Sequence, residues 1–319
     1  MSYGASVIIL SHNNYERTTG PCLESLYRGA EEKPFEVIVV DNASTDETPR
    51  MLEKYARERT NFKGIFNRSN RGFAGGNNDG VKEAEADIVI LLNSDTVVPE
   101  GTFHRLINHM KKNPDWGMLG PVTNAAGNEQ KIYIGEGEVE KAMNAGERFC
   151  SHSINDCFAS ERLDFFCVAV RRDIYNRLEG LDERFGLGYY EDVDFSIKAN
   201  LSGVRMMFAE DCFVFHSAGK TFSNVGKKKV GKLMHENKKK LKKKYSGKVR
   251  LFHMRNRNMK IMEKYIEIKG DSGSERKPDF DYKFNNRLKL AEGIYPHSPF
   301  KKIFYYMQLR SLESRYTGL

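Results

Sequence analysis

No run of eighteen apolar residues occurs in this 319-residue chain, so a bilayer-spanning helix is not expected. The opening MSYGASVIILSHNN lacks the basic start and long apolar core of a secretory leader and enters a strand at once. A cytoplasmic protein is expected on that ground. Cysteine is sparse: Cys22, Cys150, Cys157, Cys167 and Cys212 are odd in number, and none pairs at CxxC spacing. That argues against a disulfide framework or a zinc knuckle and leaves buried or half-buried free thiols. Internal repeats are missing. No GxGxxG follows the first apolar run, so a dinucleotide fold is poorly supported. The GKT at 219–221 is no phosphate loop, because Val214 stands where that loop needs glycine.

What is present is ordinary for a globular protein, with 39% hydrophobic and 29% charged residues. The net charge of +8 is unevenly spread. Residues 227–264 hold sixteen Lys or Arg against two Glu, a net of +14 that leaves −6 for the rest of the chain.

Ser6–Leu10, Phe35–Val40 and Asp87–Leu92 are short apolar runs without polar alternation. Such runs suit strands covered on both faces. Helical patterns lie between them: Cys22, Leu23, Leu26 and Tyr27; a start at Thr48-Pro49; then Phe103, Leu106, Ile107 and Met110. Strand, helix, strand, helix predicts an α/β fold with a parallel sheet. Ligands of such sheets bind beyond the carboxyl ends of the strands. There the runs deliver Asn13, Asp41 and Asp95 to one edge. Residues 121–163 read as long loops, Leu163–Tyr175 as strand then helix, a helix starts near Glu191, and a further strand ends at His216. In the basic segment, Val230, Leu233, Met234, Asn237, Leu241 and Tyr245 form one stripe, so a packed amphipathic helix with a lysine-coated outer face is expected. That face suits solvent or an anionic membrane surface. Nucleic acid is disfavoured, since no aromatics interleave the lysines. Gly270–Asp279 reads as a linker to an aromatic-rich tail.

Five motifs follow one another over about 180 residues: DNASTDETP, NRGFAGGNNDG, LLNSDT, GYYEDVDFS and VFHSAGKT. Together they resemble the family 2 glycosyltransferases of the GT-A fold, in the rhamnosyltransferase-like branch, over roughly residues 5–245. The resemblance implies a catalytic domain over 1–226, with a nucleotide half to about 120 and an acceptor half beyond. The basic helix (227–269) and tail (270–319) would follow as a helical C-terminal extension.

The implied activity moves a sugar from a UDP- or dTDP-sugar to an acceptor hydroxyl on a glycan, lipid-linked sugar or protein. Inversion and a divalent cation, Mn²⁺ or Mg²⁺, are implied as well. By resemblance Asp95 and His216 hold that cation, which steadies the departing diphosphate. Asn93 replaces an aspartate usual in the family, and Ser94 stands between it and Asp95. Asp41 matches the base-reading aspartate, able to accept from a pyrimidine ring N–H. His12 stands where an aromatic packs on the base, with Asn13 after it. Arg71 and Asn78 lie near nucleotide and diphosphate. Asp192 is the implied base toward the acceptor hydroxyl, with Glu191 positioning acceptor or base. Each carboxylate raises the other's pKa while a helix N-terminus lowers both, and the sequence does not rank the two. Lys198 replaces an arginine common in the family.

Two other classes are compatible. A sugar nucleotidyltransferase shares sheet and metal, but needs a basic glycine-rich loop after the first strand, which SHNNYERTTG is not. An inactive transferase-like binding module finds support in Asn93. A peripheral place at the inner face of a membrane fits the basic segment.

Overall fold

The computed structural model describes residues 3–29, 34–135, 138–154, 156–218, 226–247, 253–271 and 277–318. The apolar runs become strands β1 (Ala5–Ser11) and β2 (Phe35–Asp41) and, after β3 (Phe62–Phe66), β4 (Ile88–Asn93). All of β2 and all but one residue of β1 are buried, which explains their lack of polar alternation. The sequence reading missed β3, an edge strand carrying Lys63 and Gly64. Helices α1 (Thr19–Tyr27), α2 (Thr48–Glu58) and α3 (Gly72–Lys82) connect these strands.

Beyond β4 come β5 (Thr96–Val97), α4 (Thr102–Lys112), β6 (Trp116–Val122), α5 (Val139–Ser151), β7 (Cys157–Ser160), β8 (Cys167–Arg171) and α6 (Arg172–Arg177). Then follow α7 (Glu191–Leu201), β9 (Arg205–Phe213) and β10 (Phe215–His216). Residues 121–163 therefore contain a helix and a strand as well as loops. The eight-stranded sheet runs β3-β2-β1-β4-β8-β6-β9-β7 and is mostly parallel, with β8 and β7 reversed. Strands β10 and β5 form a separate antiparallel pair.

The NRGFAGGNNDG motif has a packing role here. Helix α3 begins at Gly72, whose φ of +70° suits glycine. A Cβ there would meet the Gly186 carbonyl oxygen at 2.0 Å. One at Gly80 would meet Ile8 of β1 at 2.3 Å, so the helix lies directly on the sheet.

The expected helical C-terminal extension is present, and the segment expected as its tail is helical as well. It forms α8 (Lys227–Lys244), α9 (Met254–Asp271), α10 (Lys277–Glu292) and α11 (Pro299–Thr317). Of the expected linker, residues 272–276 lie outside the described residues, and its two ends are helical. Residues 219–221 lie outside them too. Met262, Tyr265, Phe280, Phe284 and Leu309 join the main hydrophobic core. Charge is buried with them. Glu210 of β9 meets Arg287 at 2.5 Å and Lys283 at 3.1 Å, with all three side chains fully buried. Tyr265 donates to the same carboxylate at 2.5 Å, and Arg287 also donates to the carbonyls of Glu129 and Lys131. A buried charge needs such partners, so α9 and α10 are locked to the sheet.

Candidate active site

Strand register brings the polar strand ends together. Ser11 pairs with Asp41 across β1 and β2, and Leu10 pairs with Asn93 across β1 and β4. His12, Asn13, Asp41, Asn93, Ser94 and Asp95 therefore share one sheet edge. Asp41 is buried and accepts from the Ser44 amide at 3.2 Å. Asn13, at φ +56°, has its backbone N–H on the Ser44 hydroxyl, and its side chain accepts from the Thr45 amide. His12 Nδ1 bonds the Asn42 carbonyl at 2.9 Å, which makes that nitrogen the donor. Asn42, absent from the sequence reading, organises the wall. It donates to Asn70 and Gly72 and accepts from Asn67 and the Arg71 amide.

The side chains of Arg71 and Asn78 are engaged by partners outside this wall. The Arg71 guanidinium bonds Asp79 at 2.5 Å and Glu183 at 2.9 Å. Asn78 accepts from Tyr175 and the Leu181 amide and donates to Leu181 and Glu183. Both tie α3 to the 175–183 loop.

The β5–β10 pair sets His216 opposite Thr96 and so beside Asp95. His216 Nε2 lies 3.4 Å from Asp95 Oδ1. Asn124 clamps the His216 backbone with both its amide atoms, Nδ1 bonds the Ala125 carbonyl at 3.1 Å, and the ring stacks on Phe166. The carbonyl only accepts, so Nδ1 holds a proton. Nε2 then faces a carboxylate with either a second proton or a lone pair. Burial, the largest influence, pushes the imidazole pKa down; Asp95, by hydrogen bond and charge, with help from Ala125 and Asp164, lifts it above the usual value.

Glu191 and Asp192 open α7 after two left-handed non-glycine residues, Tyr189 at φ +71° and Tyr190 at φ +78°. Such backbone costs about 1–3 kcal/mol per residue and persists only when braced. Asn237 of α8 is the brace, donating to the carbonyls of Phe185, Gly188 and Tyr189. Lys244 adds ion pairs to Asp182 and Asp194 at 2.7 Å, and Tyr245 bonds Asp194. Of the expected stripe on α8, Asn237 and Leu241 are buried, while Met234 is exposed.

Burial, then the charge of Asp192, pushes Glu191 up to about 8. Its Oε2 is buried and has no hydrogen-bond partner. Burial also lifts Asp192 to about 6; Arg162 opposes this and Asp164 adds to it. Arg162 bonds Asp164 at 2.6 Å, and its Nε is left without a partner. The Tyr189 phenol is raised by burial and by the charges of both Glu191 and Asp95. Asp164 likewise acts on both Asp192 and His216. The two acidic centres thus share one electrostatic environment. Arg162 and Asp164 escaped the sequence reading; their signal is a charged pair directly before an apolar strand.

Among the described residues, one trio of potential metal ligands draws its atoms within 4.8 Å: His109, Cys157 and Asp211. There His109 Nε2 already bonds Asp211 at 2.8 Å, and burial pushes the Cys157 thiol up, which disfavours a thiolate ligand.

A mostly parallel sheet flanked by helices, with acidic groups at its carboxyl edge, is a transferase-type architecture similar to GT-A structures. One is GalNAc-T7 with UDP, GalNAc and Mn²⁺ (TM-score 0.54, 17% identity, 66% of this chain and 43% of that one). Another is the mannosyltransferase PcManGT from Pyrobaculum calidifontis, in complex with GDP-Man and Mn²⁺ (TM-score 0.51, 16% identity, 99% and 88%). At these identities the likeness is one of fold. The Glycosyl transferase family 2 profile matches residues 6–176, and the chain belongs to that family. The uncharacterized glycosyltransferase YfnE of Bacillus subtilis (strain 168) is 43% identical over 93 residues, 28% of this chain and 23% of YfnE. The poly-beta-1,6-N-acetyl-D-glucosamine synthase of Staphylococcus epidermidis is 29% identical over 116 residues, 36% of this chain and 27% of the synthase. The matches thus span about a quarter of each relative.

Proposed function

We propose that this glycosyltransferase takes a hexosyl group from a UDP- or dTDP-sugar and passes it, with inversion, to a hydroxyl on a glycan, a lipid-linked sugar or a protein. One observation carries the reading. Segments distant in the chain converge here: Asp95 and Glu191 both bear on the Tyr189 phenol, and Asp164 bears on both Asp192 and His216. GalNAc-T7 and PcManGT, crystallised with UDP and with GDP-Man, support a nucleotide-linked donor. Asp41 at the end of β2 favours a pyrimidine with a ring N–H. His12 and Asn13 line the same edge, and Asn93 and Ser94 lead into Asp95. Arg71 and Asn78 support this edge from behind by fixing α3. The poly-N-acetylglucosamine synthase supports a glycan acceptor.

A divalent cation, Mn²⁺ or Mg²⁺, fits Asp95 and His216. The Asp95 carboxylate lies 3.4 Å from His216 Nε2 and favours a proton there, and a divalent cation would take that proton's place, with Nε2 then offering its lone pair. Two protein ligands suit a cation whose other positions go to phosphate oxygens and water. When bound, it would offset the negative charge that develops on the leaving diphosphate.

The chain's own residues do the rest. Asp192, ionised above about pH 6, takes the proton of the acceptor hydroxyl. The acceptor oxygen forms its bond to the anomeric carbon as the bond to the diphosphate oxygen breaks, and that electron pair leaves with the diphosphate. Glu191, protonated at neutral pH, has a buried Oε2 without a partner, a hydroxyl that could hold a sugar oxygen once the acceptor is bound. Arg162 keeps Asp192 ionised.

Among the described residues no helix is long and apolar enough to cross a membrane. A cytoplasmic enzyme at the inner membrane face, touching it through the lysines of α8, completes the proposal. The test is UDP release from a panel of UDP- and dTDP-sugars with Mn²⁺. Turnover by the wild type that Asp192→Asn abolishes supports the reading. Equal turnover by both, or failure of every donor to bind, refutes it.

A further inference from the structure

Helix α11 is apolar on two faces. Tyr305, Leu309, Leu312 and Tyr316 point inward and are buried. Phe300, Ile303, Phe304 and Met307 form a second stripe, at i, i+3, i+4 and i+7, with exposures of 87%, 61%, 62% and 63%. Singly exposed apolar residues are ordinary, but a contiguous stripe marks a contact surface. The stripe borders a groove of about 630 Å³ between α9 and the first turns of α11.

Charge decides what fits it. Helix α11 carries Lys301, Lys302, Arg310 and Arg315 against the single Glu313. Across the groove α9 adds Arg255 and Lys260 against Glu263. A second copy packed about a two-fold axis would bring these cations against themselves. An anionic surface would neutralise them. Tyr295, half-exposed beneath the Lys302 ammonium at 3.7 Å, adds an aromatic with a polar tip, the kind of side chain suited to a water–lipid boundary.

We propose that the outer face of α11 docks on an anionic lipid bilayer, with Phe300, Ile303, Phe304 and Met307 entering the head-group boundary and the flanking cations meeting lipid phosphates. This site lies apart from the lysine face of α8 and does not depend on the transfer chemistry.

The full chain is sedimented with phosphatidylcholine vesicles, with or without phosphatidylglycerol, as wild type, F300S/F304S and K239E/K243E. The wild type is expected to partition onto the anionic vesicles only, with salt weakening the binding. Removing two phenyl groups is expected to lower partitioning by about tenfold or more. The α8 variant is expected to lower partitioning less than F300S/F304S does, since the α8 lysines add charge but no apolar anchor. Met307→Trp, on a chain whose one tryptophan is buried, is expected to shift its emission to the blue on these vesicles. Wild type that ignores anionic vesicles, or F300S/F304S that binds as well as wild type, overturns the proposal. So does a dimer that F300S/F304S converts to monomer in the absence of vesicle binding, which assigns the face to a second copy.

Discussion

Replacing Asp192 with asparagine should remove activity and yet stabilise the folded protein above neutral pH. Burial lifts the Asp192 carboxyl from 3.8 to about 6. That rise corresponds to roughly 3 kcal/mol between the protonation states. Asp192 is only partly buried, so solvent reduces this to about 1–2 kcal/mol. The folded pKa lies above the unfolded one, so the protonated form favours folding. The stabilisation that protonation confers is complete below about pH 4 and is lost as pH rises through about 6. Asparagine resembles the protonated state and carries no such penalty. Thermal melts at about pH 4 and about pH 8 should therefore differ. The variant should gain little at about pH 4 and melt a few degrees above wild type at about pH 8, since 1 kcal/mol is worth roughly 2–4 °C in a chain of this size. Glu191 titrates with Asp192, so the transition belongs to the pair. A variant that is less stable than wild type at pH 8 would show that the carboxylate is held by favourable contacts, and the reasoning would be wrong.

Two further outcomes test other parts of the structure. Glu210→Gln leaves Lys283 and Arg287 buried with an uncompensated charge, and should cost about 3–5 kcal/mol in denaturant unfolding; a loss below about 1 kcal/mol would show that α9 and α10 are held by packing alone. Arg162→Met removes the cation that opposes the rise in Asp192, so the acidic limb of the pH–rate profile should move above pH 6; an unmoved limb with lower turnover would make Arg162 a structural residue only.

Much of the fold was readable because parallel strands buried on both faces demand continuous β-branched runs, and β1, β2 and β4 have them. Their polar ends mark the binding edge by topology alone. The start of α7 at Glu191 and Asp192 was readable from the sequence. The contacts of Arg71 and Asn78 were not, because Glu183, Tyr175 and Leu181 come from about a hundred residues away. Asn237 was legible as part of a buried stripe, but its three carbonyl partners belong to a strained turn that no local pattern reveals. The C-terminal helices looked like a tail because their core positions include Lys283 and Arg287, charges that a reader of patterns assigns to solvent.

Calorimetric titration of UDP, with and without Mn²⁺, decides whether Asp95 helps to hold a cation on the diphosphate. Mn²⁺ should tighten UDP binding by about tenfold or more, the scale of one good charge-assisted contact, and Asp95→Ala should remove this gain without abolishing metal-free binding. Identical UDP affinity with and without the cation, or a gain that survives Asp95→Ala, would contradict that role.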